Sequence, residues 1–427
     1  MKYRLLLGVL FCLVNVAMFY SVAAYSDDSS VKLSGQVRML SETDAKDFNK
    51  DSPEQDAAFL RTRLSTAFQP AEKISAFIQL QDSRLYGSEP NTLADTHNVD
   101  LHQAYFTVED LFINKLSLKS GRFESSYGAG RLIGTVGWHN VGQAFNGSVL
   151  RYRVSEKLDI DSFGAQLIHQ VDPANLKNTG RYLAGLYATY RPKETYHLDF
   201  YSISEVHSKE TVKDEPDLTR HTLGAYDKGK LDCPINSNNA LDYEVEVAAQ
   251  LGKRHNPADG IHSERQDIRA FMLTASIGYT LDTAQKPRLA VGYDYLSGQD
   301  ADDEDYKVFD TLYANNDEFY GFMDYFVDIP VDTGGSGLQD VMAKLQIAPH
   351  KKLTLKADVH HFLSAKKVDD ENSYGQEVDL TAVYRYHKAL GFTLGVSVFA
   401  PGELMKAKFG GNDDVAAWSY FMTTANF

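Results

Sequence analysis

The stretch LDYEVEVAAQ, Leu241 to Gln250, decides the fold. In an extended chain Leu241, Tyr243, Val245, Val247 and Ala249 fall on one side, and Asp242, Glu244, Glu246 and Gln250 on the other. A helix is excluded, because its apolar positions recur every three to four residues. Three carboxylates in succession on the second face need water or counter-charges. An apolar face opposite a charged one suits a strand placed between lipid and a wet lumen.

The two-residue period recurs along the chain. Leu60, Leu64 and Phe68 oppose Arg61 and Arg63, and Ile74, Ala76, Ile78 and Leu80 oppose Ser75, Gln79 and Gln81. Val378, Leu380, Ala382, Tyr384 and Tyr386 oppose Glu377, Asp379, Arg385 and His387. About eighteen segments of this kind are visible. They start near Val31, Ala57, Lys73, Asn98, Phe112, Phe145, Lys157, Gly180 and Thr195, then near Thr219, Asn239, His262, Lys286, Leu338, Lys352, Gly375, Gly391 and Ala416. Tight links (Pro70-Ala71-Glu72, Glu109-Asp110, Ser155-Glu156, Pro192-Lys193-Glu194, Pro349-His350, Lys388-Ala389) are interleaved with long polar segments at 42–56, 84–97, 121–144, 170–179, 205–218, 299–337 and 401–415. Lys228 to Asn238 is the exception, a long link where a short one is expected. Short turns on one rim and long loops on the other predict an all-β fold, a transmembrane antiparallel β-barrel of outer-membrane type with about 18 strands. The repeat that a propeller or solenoid requires is absent.

Composition agrees. Lys2 and Arg4 precede an apolar run from Leu5 to Val22, and Val22-Ala23-Ala24 offers small residues for cleavage. Residues 1–24 are therefore expected to be a signal peptide for Sec-dependent export, and 25–427 the barrel. Cys233 is then alone and makes no internal disulfide. Loss of Lys2 and Arg4 takes the formal charge from −15 to about −17, which argues against a nucleic-acid partner. No later run is long and apolar enough for a spanning helix. With 25 Tyr and 23 Phe, the chain has the aromatics that sheets at a lipid interface use. Phe427 ends a segment bearing Trp418, Tyr420 and Phe421, so the last strand is expected to run to the last residue.

Alternation assigns the lumen its charges. Lys32, Arg38, Arg61, Arg63, Lys115, Lys119, Arg151 and Arg153 are expected to line one side, with Arg122 and Arg131 in the adjoining loop. Asp199, Asp242, Glu244, Glu246, Asp358, Glu377 and Asp379 are expected on the other. Guanidinium groups keep their charge and grip carboxylates bidentately, so an anionic solute could follow the arginine side. Arginine–carboxylate ladders that merely stiffen the wall are the competing reading of each residue. The run GRFESSYGAGRLIGTVGWHNVGQAFNG, Gly121 to Gly147, has no apolar period of its own. Its glycines permit close-packed turns, Trp138 and Phe145 can anchor it, and Arg122, Glu124 and Arg131 can pair with each other or with the wall. A loop of this length inside a strand-rich chain is expected to be functional, and this one to fold into the pore.

That run resembles the alginate export family of outer-membrane proteins. The matching residues are Gly121-Arg122, Tyr127-Gly128, Arg131-Leu132-Ile133-Gly134, Trp138 and Phe145-Asn146-Gly147. Leu241 to Glu246, Gly292 to Gly298, Phe309 to Tyr313 and Tyr320 to Asp324 are similar to further family segments. The resemblance implies an eighteen-stranded barrel that passes a polyanion along an arginine-lined path. Gln143 stands where the family often has Arg, and Asn146 where it has Asp, so two opposite charges are absent together.

Three function classes follow. The first is a passive outer-membrane channel for an anionic saccharide or other organic anion, with Arg38, Arg61, Arg63, Lys119, Arg122, Glu124, Arg131, Arg151 and Arg153 as the pathway. The second is a general or cation-preferring porin governed by acidic loops such as Asp300 to Asp305 and Asp369 to Glu371. The third, an enzyme, lacks a constellation: His360-His361 are adjacent on a strand and point to opposite faces. No cofactor, metal site or catalytic residue is expected. Outer-membrane lipid and the anion are the expected partners, and a periplasmic secretion partner is compatible with export.

Overall fold

The computed structural model describes residues 30–88, 99–170, 179–207, 217–233, 236, 238–255 and 266–427. The expected leader, the starts near Asn98 and His262 and the middles of the 84–97, 170–179 and 205–218 loops lie outside the described residues. Eighteen antiparallel strands form one sheet. They are β1 (Ser30–Ala45), β2 (Gln55–Ala71), β3 (Ile74–Leu85), β4 (Asp100–Val108), β5 (Leu116–Phe123) and β6 (Phe145–Ser155). Then come β7 (Leu158–Gln170), β8 (Thr179–Lys193), β9 (Tyr196–His207), β10 (Asp217–Asp232), β11 (Ala240–His255) and β12 (Gln266–Thr280). The last six are β13 (Arg288–Leu296), β14 (Leu338–His350), β15 (Leu353–Val368), β16 (Glu371–His387), β17 (Leu390–Pro401) and β18 (Ala416–Asn426). Each strand pairs with its sequence neighbours, and β1 closes on β18 from Gln36↔Asn426 to Ala45↔Ala417. Closure leaves no free edge, as a sheet in lipid requires.

The period of two sorts the side chains by solvent. On β11 Glu246, Ala248 and Gln250 are buried inside, while Val247 and Leu251 lie exposed on the outer surface. Leu223, Phe271, Leu289 and Leu345 join them outside and make an apolar lipid-facing band. The barrel core is in its lumen. Phe48, from the loop 46–54, stacks on Tyr325 (5.2 Å) and meets Phe409 edge-on (4.9 Å), against Phe399 of β17. The long loop 297–337 brings in Tyr325 and Phe326 and carries the short helix α1 (Ile329–Asp332); 402–415 carries α2 (Glu403–Lys408). Inward-folded loops thus bury apolar surface where a soluble sandwich would place a second sheet.

Expected strand starts fall within about four residues of those observed. Two differences have a backbone cause. Asp110, Phe112 and Lys115 adopt φ of 52°, 62° and 69°, so 109–115 is a turn and Lys115 is not part of the lumen wall. Asp369 and Asp370 adopt φ of 51° and 68°, which makes a two-residue hairpin of the link between β15 and β16. The acidic pair expected as an entry loop is that turn.

Gly121 pairs with Gly147 at the head of the pore loop and has φ +134°. A Cβ there would lie 2.2 Å from the Ala104 carbonyl oxygen. Gly121→Ala should therefore destabilise the barrel by about 1–3 kcal/mol. The temperature at which the folded band converts to unfolded mobility on electrophoresis should fall. Gly164→Ala, where a Cβ meets nothing within 4 Å, should leave it unchanged.

Candidate functional site: the constriction

Loop L3 (124–144) leaves β5 and crosses the lumen to the far wall. Tyr127 stacks on Phe163 (5.3 Å) and Tyr187 (4.4 Å) and donates a hydrogen bond to Asp161 (3.1 Å). Gly128, at φ +58°, lies so near Tyr187 that a Cβ would sit 3.0 Å from its hydroxyl. Arg131 then donates to Asp294 of β13 (2.7 Å) and lies over the Phe319 ring (4.0 Å). Ile133 bridges in parallel to Tyr313 of the loop L7 (297–337). At Gly134 a Cβ would fall 2.3 Å from Asn315 Oδ1, which accepts from the Val136 amide (2.6 Å). Gln143 donates to the Gly134 and Tyr313 carbonyls (2.8 and 2.9 Å), tying both loops together. Trp138 reaches β18 and packs edge-on against Tyr420 (4.8 Å) and Trp418 (6.0 Å). Phe145 is buried at the return and meets Tyr313 edge-on.

The cations named from the sequence separate by partner. Arg63 pairs with Glu124 (3.1 Å), Arg131 with Asp294, Arg151 bidentately with Asp161 (2.6 Å both) and Arg153 with Asp159 (3.3 Å). Each is neutralised. Arg38 and Arg61 are not: among the described residues neither has a carboxylate within ion-pair distance. They are 4% and 5% exposed, and both donate to the Gly137 carbonyl at 3.0 Å. Arg61 also donates to the His139 carbonyl (3.1 Å), and the Nε of each arginine is buried without a hydrogen-bond partner. Lys119 likewise lacks an acid, with its ammonium over Tyr105 (4.2 Å) and Phe123 (4.4 Å). It shares a cavity of about 390 Å³ with Arg151 and Arg153.

Arg122 and Asn146 are corrections. Lys119, Gly121 and Phe123 share the inner face of β5, so Arg122 points outward and donates to Asn146 (3.3 Å) on the outer surface. The expectation that Arg122 belonged to the opening loop failed because β5 runs two residues further than its glycine suggests.

Three acids of L7 carry the other half of the site and were not singled out from sequence. Asp317, Glu318 and Asp324 line a cavity of about 370 Å³ together with Arg38, Arg61 and Trp138. Phe322, Trp418 and Tyr420 complete its walls. Burial pushes Asp317 and Glu318 up from the ordinary carboxylate range. It pushes Asp324 up to about 7, with Lys46 opposing and Asp317, Glu42 and Asp379 reinforcing. Only Asp324 had a signal in the sequence, its place in the family segment Tyr320 to Asp324; Asp317 and Glu318 had none. Among the described residues no group of three His, Cys, Asp or Glu side chains is placed to hold a metal ion.

Comparison with known proteins agrees with this architecture. Acinetobacter baumannii OccAB1 superposes with TM-score 0.63 at 12% identity, covering 94% of this chain and 97% of that one. Pseudomonas aeruginosa OprD gives 0.61 at 13%, covering 94% of each. Pseudomonas aeruginosa OpdK, solved with vanillate, gives 0.55 at 9%, covering 93% and 98%. At these identities the likeness concerns the fold, an eighteen-stranded porin barrel of the Gram-negative outer membrane. No curated protein matches in sequence. The profile of the Alginate export family matches residues 29–417, nearly the whole described barrel, and this chain belongs to that family of outer-membrane channel proteins.

Proposed function

We propose that the protein is a passive outer-membrane channel for organic anions, acidic saccharides among them, which pass the constriction beside Arg38 and Arg61. One observation carries this reading: these are buried guanidinium groups without an acid in a lumen where the other strand arginines of the path have one. A carboxylate at the cavity meets two guanidinium charges that are solvated by carbonyl and amide oxygens and cancelled by no acid. Charge-assisted hydrogen bonds of this kind are the strong ones. Lys119 and the exposed heads of Arg151 and Arg153 form a second station in the neighbouring cavity. The channel has no bond-breaking machinery in this reading; it lowers the cost of moving an anion through a narrow, partly desolvated passage.

A cation-preferring porin is the second reading, favoured by Asp317, Glu318 and Asp324 in the same cavity. Reversal potential in a KCl gradient across a planar bilayer separates the two. The wild type should prefer chloride, and Arg38→Gln/Arg61→Gln should lower the anion-to-cation permeability ratio by about tenfold, one decade being about 1.4 kcal/mol. Cation preference in the wild type, or no change in a variant that retains its heat-modifiable folded band, overturns the anion reading.

The selectivity should also depend on pH. The folded carboxyl of Asp324 titrates near 7, above the ordinary value near 3.8, so it stays neutral in mildly acidic solution. Its contribution to stability is therefore full below about pH 4 and lost as pH rises through 7. The same ionisation puts a negative charge into the constriction. Anion preference should fall from about pH 5 to about pH 8 in the wild type, and the fall should be smaller in Asp324→Asn.

A further inference from the structure

The constriction cavity has two poles. Arg38 and Arg61 make a cationic one on β1 and β2, and Asp317, Glu318 and Asp324 an anionic one on L7. Among the described residues no ion pair joins them. Unpartnered atoms mark both ends: the Nε of each arginine, and Oδ1 of Asp324. The contrast is with Arg131, which is equally buried in the same lumen and reaches a carboxylate, Asp294, at 2.7 Å. Aromatic rings line the same cavity, with Trp138 edge-on to Tyr420 (73°) and to Trp418 (75°). Ring faces set at right angles beside carboxylates are the arrangement that takes alkylated ammonium groups, whose charge is diffuse and weakly hydrated. A simple anion satisfies only one end and brings its charge toward the acids.

We infer that the constriction is a binding site for a compact zwitterion, a carboxylate joined to an alkylated ammonium by a short apolar link. The carboxylate lies against the guanidinium charges of Arg38 and Arg61, and the ammonium sits among Trp138, Trp418 and the L7 acids. This deepens the channel reading above and rests on it, since the same arginines serve both. A volume of about 370 Å³ leaves room for a small ligand with some water and excludes a folded oligosaccharide. The site would then pass such solutes by presenting, in sequence, groups that replace their hydration at both ends.

The sequence contains two tryptophans, and both line this cavity, so intrinsic fluorescence reports on it directly. The experiment titrates the detergent-purified full chain with three solutes of nearly one shape: glycine betaine, 3,3-dimethylbutyrate (its carboxylate without the cation) and choline (its cation without the carboxylate). Glycine betaine should change the emission saturably, with the other two at least about tenfold weaker, or about 1.4 kcal/mol. Asp317→Asn/Glu318→Gln should erase the advantage of betaine over dimethylbutyrate. Arg38→Gln should erase its advantage over choline, each variant being checked for the folded band. Dimethylbutyrate equal to or tighter than betaine overturns the zwitterion and leaves the anion channel standing. Choline equal to betaine also overturns it. Cation preference in the bilayer measurement overturns the channel reading itself, whatever the fluorescence shows.

Discussion

Two guanidinium groups on neighbouring strands, Arg38 and Arg61, donate to one carbonyl oxygen, that of Gly137. Much of the interior depends on this shared acceptor. Burying a charge without a counter-ion costs several kcal/mol unless dipoles replace the lost water. Here the dipoles are loop carbonyls, and they can serve only if L3 crosses the whole lumen to offer them. The arginines thus fix where the loop ends, and the loop makes the arginines tolerable. The result is a cationic wall whose charge has been solvated by backbone and never cancelled by an acid.

Loop L7 completes the constraint from the opposite side. It meets L3 through the parallel bridge Ile133↔Tyr313, through Asn315 seated against Gly134, and through Gln143 bound to both backbones. The far end of L7 is held by the wall, where the Met323 amide donates to Glu377 (2.8 Å) and Phe326 packs on Phe362 (4.8 Å). Each loop is braced by strands and by the other loop. A passage made this way is defined by two chains of contacts, so its width is set by packing as much as by charge. Gln143 shows the same economy: its amide satisfies two carbonyls without adding another cation to the lumen.

Much of the fold was legible in the sequence because barrel strands obey a local rule. Each residue faces lipid or lumen by parity, and Glu246 beside Val247 announces both faces without any knowledge of partners. The site was legible only in part. Arg38 and Arg61 follow from parity, but nothing local distinguishes them from Arg151, which has an acid directly opposite across the β6–β7 pair. Arg122 was misplaced because a glycine and a loop-like composition hid two more strand residues, and one residue of parity turns a side chain from lumen to lipid. The acids of L7 were invisible for a different reason. Their position depends on how a long loop folds back, which parity does not govern.

The same distinction explains what kind of selectivity this barrel can have. Charges fixed by strand parity make a field along the wall, and Arg151 and Asp161 show that such charges can cancel within one pair of strands. Charges brought in by loops can pair with the wall, as Glu124 does with Arg63 and Arg131 with Asp294. Asp317, Glu318 and Asp324, however, share a cavity with Arg38 and Arg61 without an ion pair between them among the described residues. At the constriction the wall supplies cations and L7 supplies acids, and the aromatic rings of Trp138, Trp418 and Tyr420 lie among the groups that keep this passage. Apolar walls lower the local dielectric, so the field across the gap is felt more strongly than in open water. On the reading proposed above, a solute that crosses is read for its charges at both ends and for its apolar girth at once. The discrimination lies in the separation that the two loops and the barrel impose, more than in the number of arginines along the path.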